Sequence, residues 1–234
     1  MSKFNEKSHA FIAAKYYEHL VDHFGERGIK AFVHGTQYYS GQRGRRMAQR
    51  AIRDGKELTY ETYSQYGEWV STQEIKDEGV ANTRELVSSS PDYVYDMTKC
   101  PWRTQFEQMG STKAGIEYCS HLDNSIARGF NPHLVYDVDL SPMENKEQGG
   151  YCIHTIENVS IDDINIANRP ENLKSFEFHC AHSYWSFREV TVAIFGVEGE
   201  KVASLVLDDF AKSYGKESID SIFKYRDTNF NIAY

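Results

Sequence analysis

The stretch EYCSHLDNSIARGFNP, Glu117 to Pro132, sets a thiol, an imidazole and a carboxyl group close together as Cys119, His121 and Asp123. In a helix, Cys119 and Asp123 lie one turn apart on the face that also carries Ile116, Leu122 and Ile126. A thiol on such a face is ordinary core chemistry. A carboxylate there must be paired, capped or metal-bound, because burying it bare costs several kcal/mol. Two further segments offer inward-facing partners. In GGYCIHTIENVSI, Cys152 and His154 alternate onto one face of a strand while Tyr151 and Ile153 take the other. In the helical segment near the C-terminus, Phe178, His182, Trp185, Glu189 and Val192 form one stripe, with His179 and Cys180 off it. Three inward faces carrying Cys, His, Asp or Glu predict a polar site built from Cys119, Asp123, Cys152, His154 and His182.

The elements that must hold these residues follow from periodicity. SHAFIAAKYYEHLVDHFG reads as a helix closed by Gly25. Glu26 to Asp54 continues the helical period but includes Gly35, Gly41 and Gly44, which predicts close backbone approach or a break near Ser40 and Gly41. A helix opens at Thr59, and Ser71 to Pro91 carries no strong signal. DYVYDMTKCPW, HLVYDVDLSP and GGYCIHTIENVSI alternate as strands, the last two joined by MENKEQGG as a hairpin loop. Between the first two strands lies the helix that carries Asp123, capped by Ser111 or Thr112 and ended by Gly129. ENLKSFEFHCAHSYWSFREVTVAIFG and VEGEKVASLVLDDFAKSYG are helical again, and no internal repeat stands out. The expected fold is α+β, with N- and C-terminal helices packed around a short central antiparallel β-sheet. It forms a single domain over residues 1–234: helical over 1–75, sheet-containing over 90–165 and helical over 171–226.

Composition bounds the function. The chain has 234 residues, 40% hydrophobic and 14% aromatic, enough for a sizeable core. Its net charge of -8, from 34 acidic and 26 basic residues, argues against nucleic acid and anionic membrane as partners. The cluster Arg43, Arg45, Arg46, Arg50 and Arg53 reads as a solvated helix face. Four scattered cysteines and no apolar run of membrane-spanning length predict a soluble, cytoplasmic protein with free or metal-bound thiols. A homodimer is the base-rate expectation for its assembly.

Five segments, YYSGQRGRRMAQRAIRDGKELTYETYSQYGEW, KCPWRTQFEQMG, EYCSHLDNSIARGFNPHLVYDV, GGYCIHTI and HSYWSFREVTVAIFGVEGEKVASLVLDDFAKSYG, run in order from about Gly25 to Gly215. Together they resemble the L-2-amino-thiazoline-4-carboxylic acid hydrolase-like family. The resemblance implies hydrolytic opening of a small heterocycle by Cys119, Asp123, Cys152 and His182, with Cys100, Trp102, Asn131 and Arg43 in support. Tyr39 and Trp185 join Arg43, Trp102 and Asn131 as expected substrate contacts. Opening a cyclic amidine or thioimidate needs water or a thiolate to attack a carbon bonded to nitrogen and sulfur, then an acid for the leaving group. In one version a divalent ion (zinc, manganese or iron), held by Cys119, Asp123 and His182, activates water. In the other, Cys119 or Cys152 is a nucleophile activated by His182 or His154. The same metal site would also serve to cleave a carbon–carbon bond in a cyclic 1,3-diketone. A metal- or ligand-binding sensor module is the non-catalytic alternative.

Overall fold

The structure, a computed structural model, describes residues 4–141, 152–162 and 166–234. Its order is α1 (Glu6–Phe24), α2 (Glu26–Arg53), α3 (Tyr60–Gln65), α4 (Gln73–Asp77), β1 (Thr83–Ser88), β2 (Tyr93–Lys99), α5 (Pro101–Gln108) and α6 (Thr112–Phe130). There follow β3 (Tyr136–Asp139), β4 (Cys152–Ile156), α7 (Phe176–Phe195), α8 (Val197–Tyr214) and α9 (Glu217–Phe223). The fold is α+β, as the change of period predicts. Two compact units divide it: Met1–Tyr39, Trp102–Tyr118 and Ser175–Asn229 form the first, and Ser40–Pro101, Cys119–Lys174 and Phe230–Tyr234 the second.

The first unit is helical. Asn5 opens α1 by accepting the Lys7 and Ser8 amides at 3.0 and 3.1 Å, and the Ser8 hydroxyl accepts the Asn5 amide in return at 2.9 Å. Ser175 caps α7 through the Phe178 amide. Both helices end on the same corner, which the sequence repeats as Phe-Gly-x-x-Gly. Gly25 (φ 55, ψ -129) and Gly196 (φ 58, ψ -129) take a backbone conformation that L side chains resist. Three residues on, a side chain at Gly28 or Gly199 would strike the carbonyl oxygen of Leu20 or Thr191. The preceding rings, Phe24 and Phe195, stack at 3.7 Å and 2°. The stripe expected on α7 is not its inward side: Glu189 is exposed, Phe178 and Trp185 are partly buried, and His179 and Cys180 are buried. The first half of α7 is covered almost all round, so a single stripe does not describe it.

The second unit holds a four-stranded antiparallel sheet in the order β1-β2-β4-β3. Alternate burial along β2 and β4 matches the period-two pattern that identifies them. The expected hairpin loop between β3 and β4 lies outside the described residues. β1 falls in the stretch without a sequence signal: as an edge strand it is mostly exposed, so no alternation marks it. Pro101 is the first residue of α5, where its missing N–H is harmless.

Gly129 lies within α6 and does not end it. Its hydrogen atoms leave room for Gly41, whose carbonyl oxygen would be 2.6 Å from an added Cβ, while a Cβ at Gly44 would meet the Ile126 carbonyl oxygen at 2.1 Å. The glycines therefore serve close approach of α2 to α6, and α2 is unbroken at Ser40. The arginine cluster on α2 is likewise not a solvated face. Arg46 and Arg50 are 2% and 4% exposed and converge on Glu68, which is fully buried. Arg46 grips that carboxylate with two bonds of 3.0 and 2.6 Å, and Arg50 adds one of 2.8 Å. Removing one partner from such a buried network costs ~3–5 kcal/mol, because the remaining charge is stranded.

Candidate functional site

Pairing within the sheet brings one polar row to the buried face. Tyr95 of β2 lies opposite His154 of β4, which lies opposite Val138 of β3, and Met97 lies opposite Cys152. Cys152 and His154 share a face, as their spacing predicts, and both are buried. The Cys152 Sγ is 3.1 Å from His154 Nε2. The other ring nitrogen, Nδ1, is 2.9 Å from the Tyr136 hydroxyl, which is 2.5 Å from the Tyr95 hydroxyl. Tyr95 also stacks on the imidazole, centroids 4.8 Å apart and planes 10° from parallel. One assignment of protons satisfies the whole chain: the thiol donates to Nε2, Nδ1–H donates to Tyr136, and Tyr136 donates to Tyr95. Asn124 of α6 fixes β3 by donating its side-chain amide to the Tyr136 carbonyl at 3.0 Å.

Asp123 projects from the same helix into this environment. Burial raises its carboxyl above the ordinary carboxylate range, while His154 and Arg43 oppose that rise. Among the described residues, no hydrogen bond or ion pair closes on it. Burial lowers His154 below the ordinary histidine range, with Arg84 adding to the fall and Asp123 and Asp96 opposing it. The imidazole is thus neutral at pH 7 and available as a base. Tyrosines wall the site: Tyr60 lies 5.5 Å from Tyr93, 5.6 Å from Tyr63 and 6.2 Å from Tyr136, ring centre to ring centre. Burial lifts Tyr63, Tyr95 and Tyr136 well above the ordinary phenol range and Tyr60 to about 12, so all four are neutral hydroxyls at pH 7.

The other expected residues divide between the two units. Cys119 is partly buried on α6, one turn before Asp123, and Cys100 is partly buried between β2 and α5. Arg43 approaches Glu68 at 3.9 Å and contributes positive charge at Asp123 and Tyr63. Asn131 closes the turn after α6: it donates to the Leu58 carbonyl at 2.8 Å and accepts the His133 amide at 2.9 Å. His182, Tyr39 and Trp102 belong to the first unit. There the Trp102 indole donates to His9 Nδ1 at 2.9 Å, which places the His9 proton on Nε2, facing the Tyr39 hydroxyl at 3.1 Å. Tyr39 lies 4.5 Å from the fully buried His182 ring. Trp185 donates to the Ile222 carbonyl at 2.9 Å and so fastens α9. None of the four cysteines is in a disulfide.

Two residues of the relay, Tyr95 and Tyr136, escape the sequence reading as site residues. Their place on the inward face of alternating strands is readable, but the pairing that lays them beside His154 is not. Among the described residues, no group of three His, Cys, Asp or Glu side chains is arranged to hold a metal ion. Both His154 ring nitrogens are already engaged.

The sheet thus brings together a thiol, a neutral imidazole within hydrogen-bond reach and a phenol that orients the imidazole. The chain belongs to the L-2-amino-thiazoline-4-carboxylic acid hydrolase family, whose model matches residues 5–152. That match includes Asp123, Tyr95 and Tyr136 and ends on Cys152. No curated protein and no solved structure matches the chain. Among the described residues, no helix is long and apolar enough to cross a membrane.

Proposed function

We propose that this protein is a ring-opening hydrolase of small cyclic amidines of the thiazoline type, with Cys152 as covalent nucleophile and His154 as its base. The observation that carries the reading is the 3.1 Å approach of Cys152 Sγ to an imidazole whose far nitrogen is held by Tyr136. The family name supports the class of ring.

Neutral His154 takes the thiol proton through Nε2, and the thiolate adds to the ring carbon bonded to both nitrogen and sulfur. Tyr136 keeps Nδ1–H paired, so the imidazole does not turn away as its charge changes. The negative charge of Asp123 favours the imidazolium that results. Collapse of the adduct breaks one ring bond, and the imidazolium returns its proton to the departing atom. A water molecule, deprotonated by the regenerated base, then attacks the Cys152-bound carbon and expels the thiolate. The sum is one water added and one ring opened.

The test is incubation with L-2-amino-thiazoline-4-carboxylic acid, following loss of the ring by chromatography and the mass of the Cys152 peptide after acid quench. A transient adduct on that peptide, absent in Cys152→Ser, is the expected result. Turnover that survives Cys152→Ser, or that a chelator abolishes and added metal restores, would refute the covalent reading in favour of metal-activated water.

A further inference from the structure

Among the described residues, the partly buried guanidinium of Arg84 has no hydrogen-bond acceptor or carboxylate partner. Arg84 lies on β1 opposite Met97, and Met97 lies opposite Cys152, so the three side chains form one row across the buried face of the sheet. Neighbouring strands are ~4.8 Å apart, which places β1 and β4 about 10 Å from each other, within the combined reach of an arginine and a small ring acid. The Arg84 guanidinium stands over the Tyr95 ring at 5.4 Å, and Tyr95 in turn stacks on His154. Whereas Arg46 and Arg50 are spent on Glu68, no hydrogen bond or ion pair joins Arg84 to another described residue. A guanidinium offers five donors in a planar fork that matches a carboxylate. Its cation on the tyrosine face keeps that fork above the row.

We propose that Arg84 is the carboxylate anchor of this site. Resting on the ring-hydrolase reading above, this makes the site selective for ring acids that carry both charges, the carboxylate on Arg84 and the amidinium on the side of Asp123. Arg84 is then a specificity-determining binding residue and takes no part in bond making. The charge pattern excludes rings with a single charge more than it excludes rings of different size.

The experiment uses Cys152→Ser, which holds ligand without consuming it, and two probes: L-2-amino-thiazoline-4-carboxylic acid and 2-amino-2-thiazoline, the same ring without the carboxyl group. Calorimetry should find the acid bound about 10- to 100-fold more tightly. Adding Arg84→Met should bring the two rings to the same affinity, and Arg84→Lys should restore part of the preference. A preference that persists in Arg84→Met, no preference in Cys152→Ser alone, or failure of the acid to bind overturns the proposal. Turnover by Cys152→Ser would sink the nucleophile assignment instead, and the ratio of kcat/KM for the two rings would then read the same preference.

Discussion

The two units each bury a cysteine beside a hydrogen-bonding partner, and the partners differ. In the first unit, Cys180 meets the Ser8 hydroxyl at 3.5 Å, and burial pushes its thiol up to about 12. Serine cannot take a proton at neutral pH, so that thiol stays protonated and inert. In the second unit, Cys152 meets an imidazole that burial keeps neutral. Burial is common to both sites; the imidazole beside the sulfur separates Cys152, the proposed nucleophile, from Cys180. The histidines show the same contrast. His9 accepts from an indole at one nitrogen and faces a phenol at the other.

The sharpest way to break this contrast is to exchange sulfur for oxygen in each unit. Cys152→Ser should lower kcat/KM on the order of 1000-fold or more, while Cys180→Ser should stay within about threefold, both read by steady-state ring loss. His154→Gln keeps a polar side chain but removes the base, and should cost about 100- to 10,000-fold. The wild-type acid limb carries the same information. Because the base works neutral and lies below the ordinary 6.5, the acid limb of kcat/KM should have its midpoint below pH 6.5, and His154→Gln should lose that limb. Tyr136→Phe leaves Nδ1–H without its acceptor and should cost about tenfold in kcat/KM, with the imidazole otherwise in place.

The smallest effect is on stability. Burial raises the Asp123 carboxyl, so the folded chain binds that proton more tightly than the unfolded chain. Wild-type stability therefore declines as pH rises through the window above 3.8, and the loss is complete once the raised pKa is passed. Asp123→Asn carries no such loss. It should melt higher than wild type at pH 7.5, with the gap closing as pH falls toward 3.8, and a lower melting temperature at pH 7.5 would contradict the raised carboxyl.

How much of this is legible in the sequence depends on burial period. β2 and β4 bury every second residue, so their alternation is visible, and with it the shared face of Cys152 and His154. Asp123 shows itself as a carboxyl group on an apolar helix face. β1 is an exposed edge with no period, and Arg84 is invisible with it. Gly129 mimics a helix stop because tight helix packing and helix ending call for the same residue. The relay through Tyr136 depends on strand order, which local pattern does not encode. Grouping His182 with Cys119 and Asp123 rests on inward faces and on the family resemblance; in the fold His182 lies beside Tyr39 in the first unit.

The repeated Phe-Gly-x-x-Gly corners have a consequence for how the helical unit responds to damage. Phe24 and Phe195 each present the same residue to the other, as subunits do across a two-fold isologous interface, yet both belong to one chain. Such a contact is reciprocal: losing either ring removes the same stacked pair. Phe24→Ala and Phe195→Ala should then cost similar stability, and the double variant should cost less than their sum, because the second substitution removes a ring that has already lost its partner.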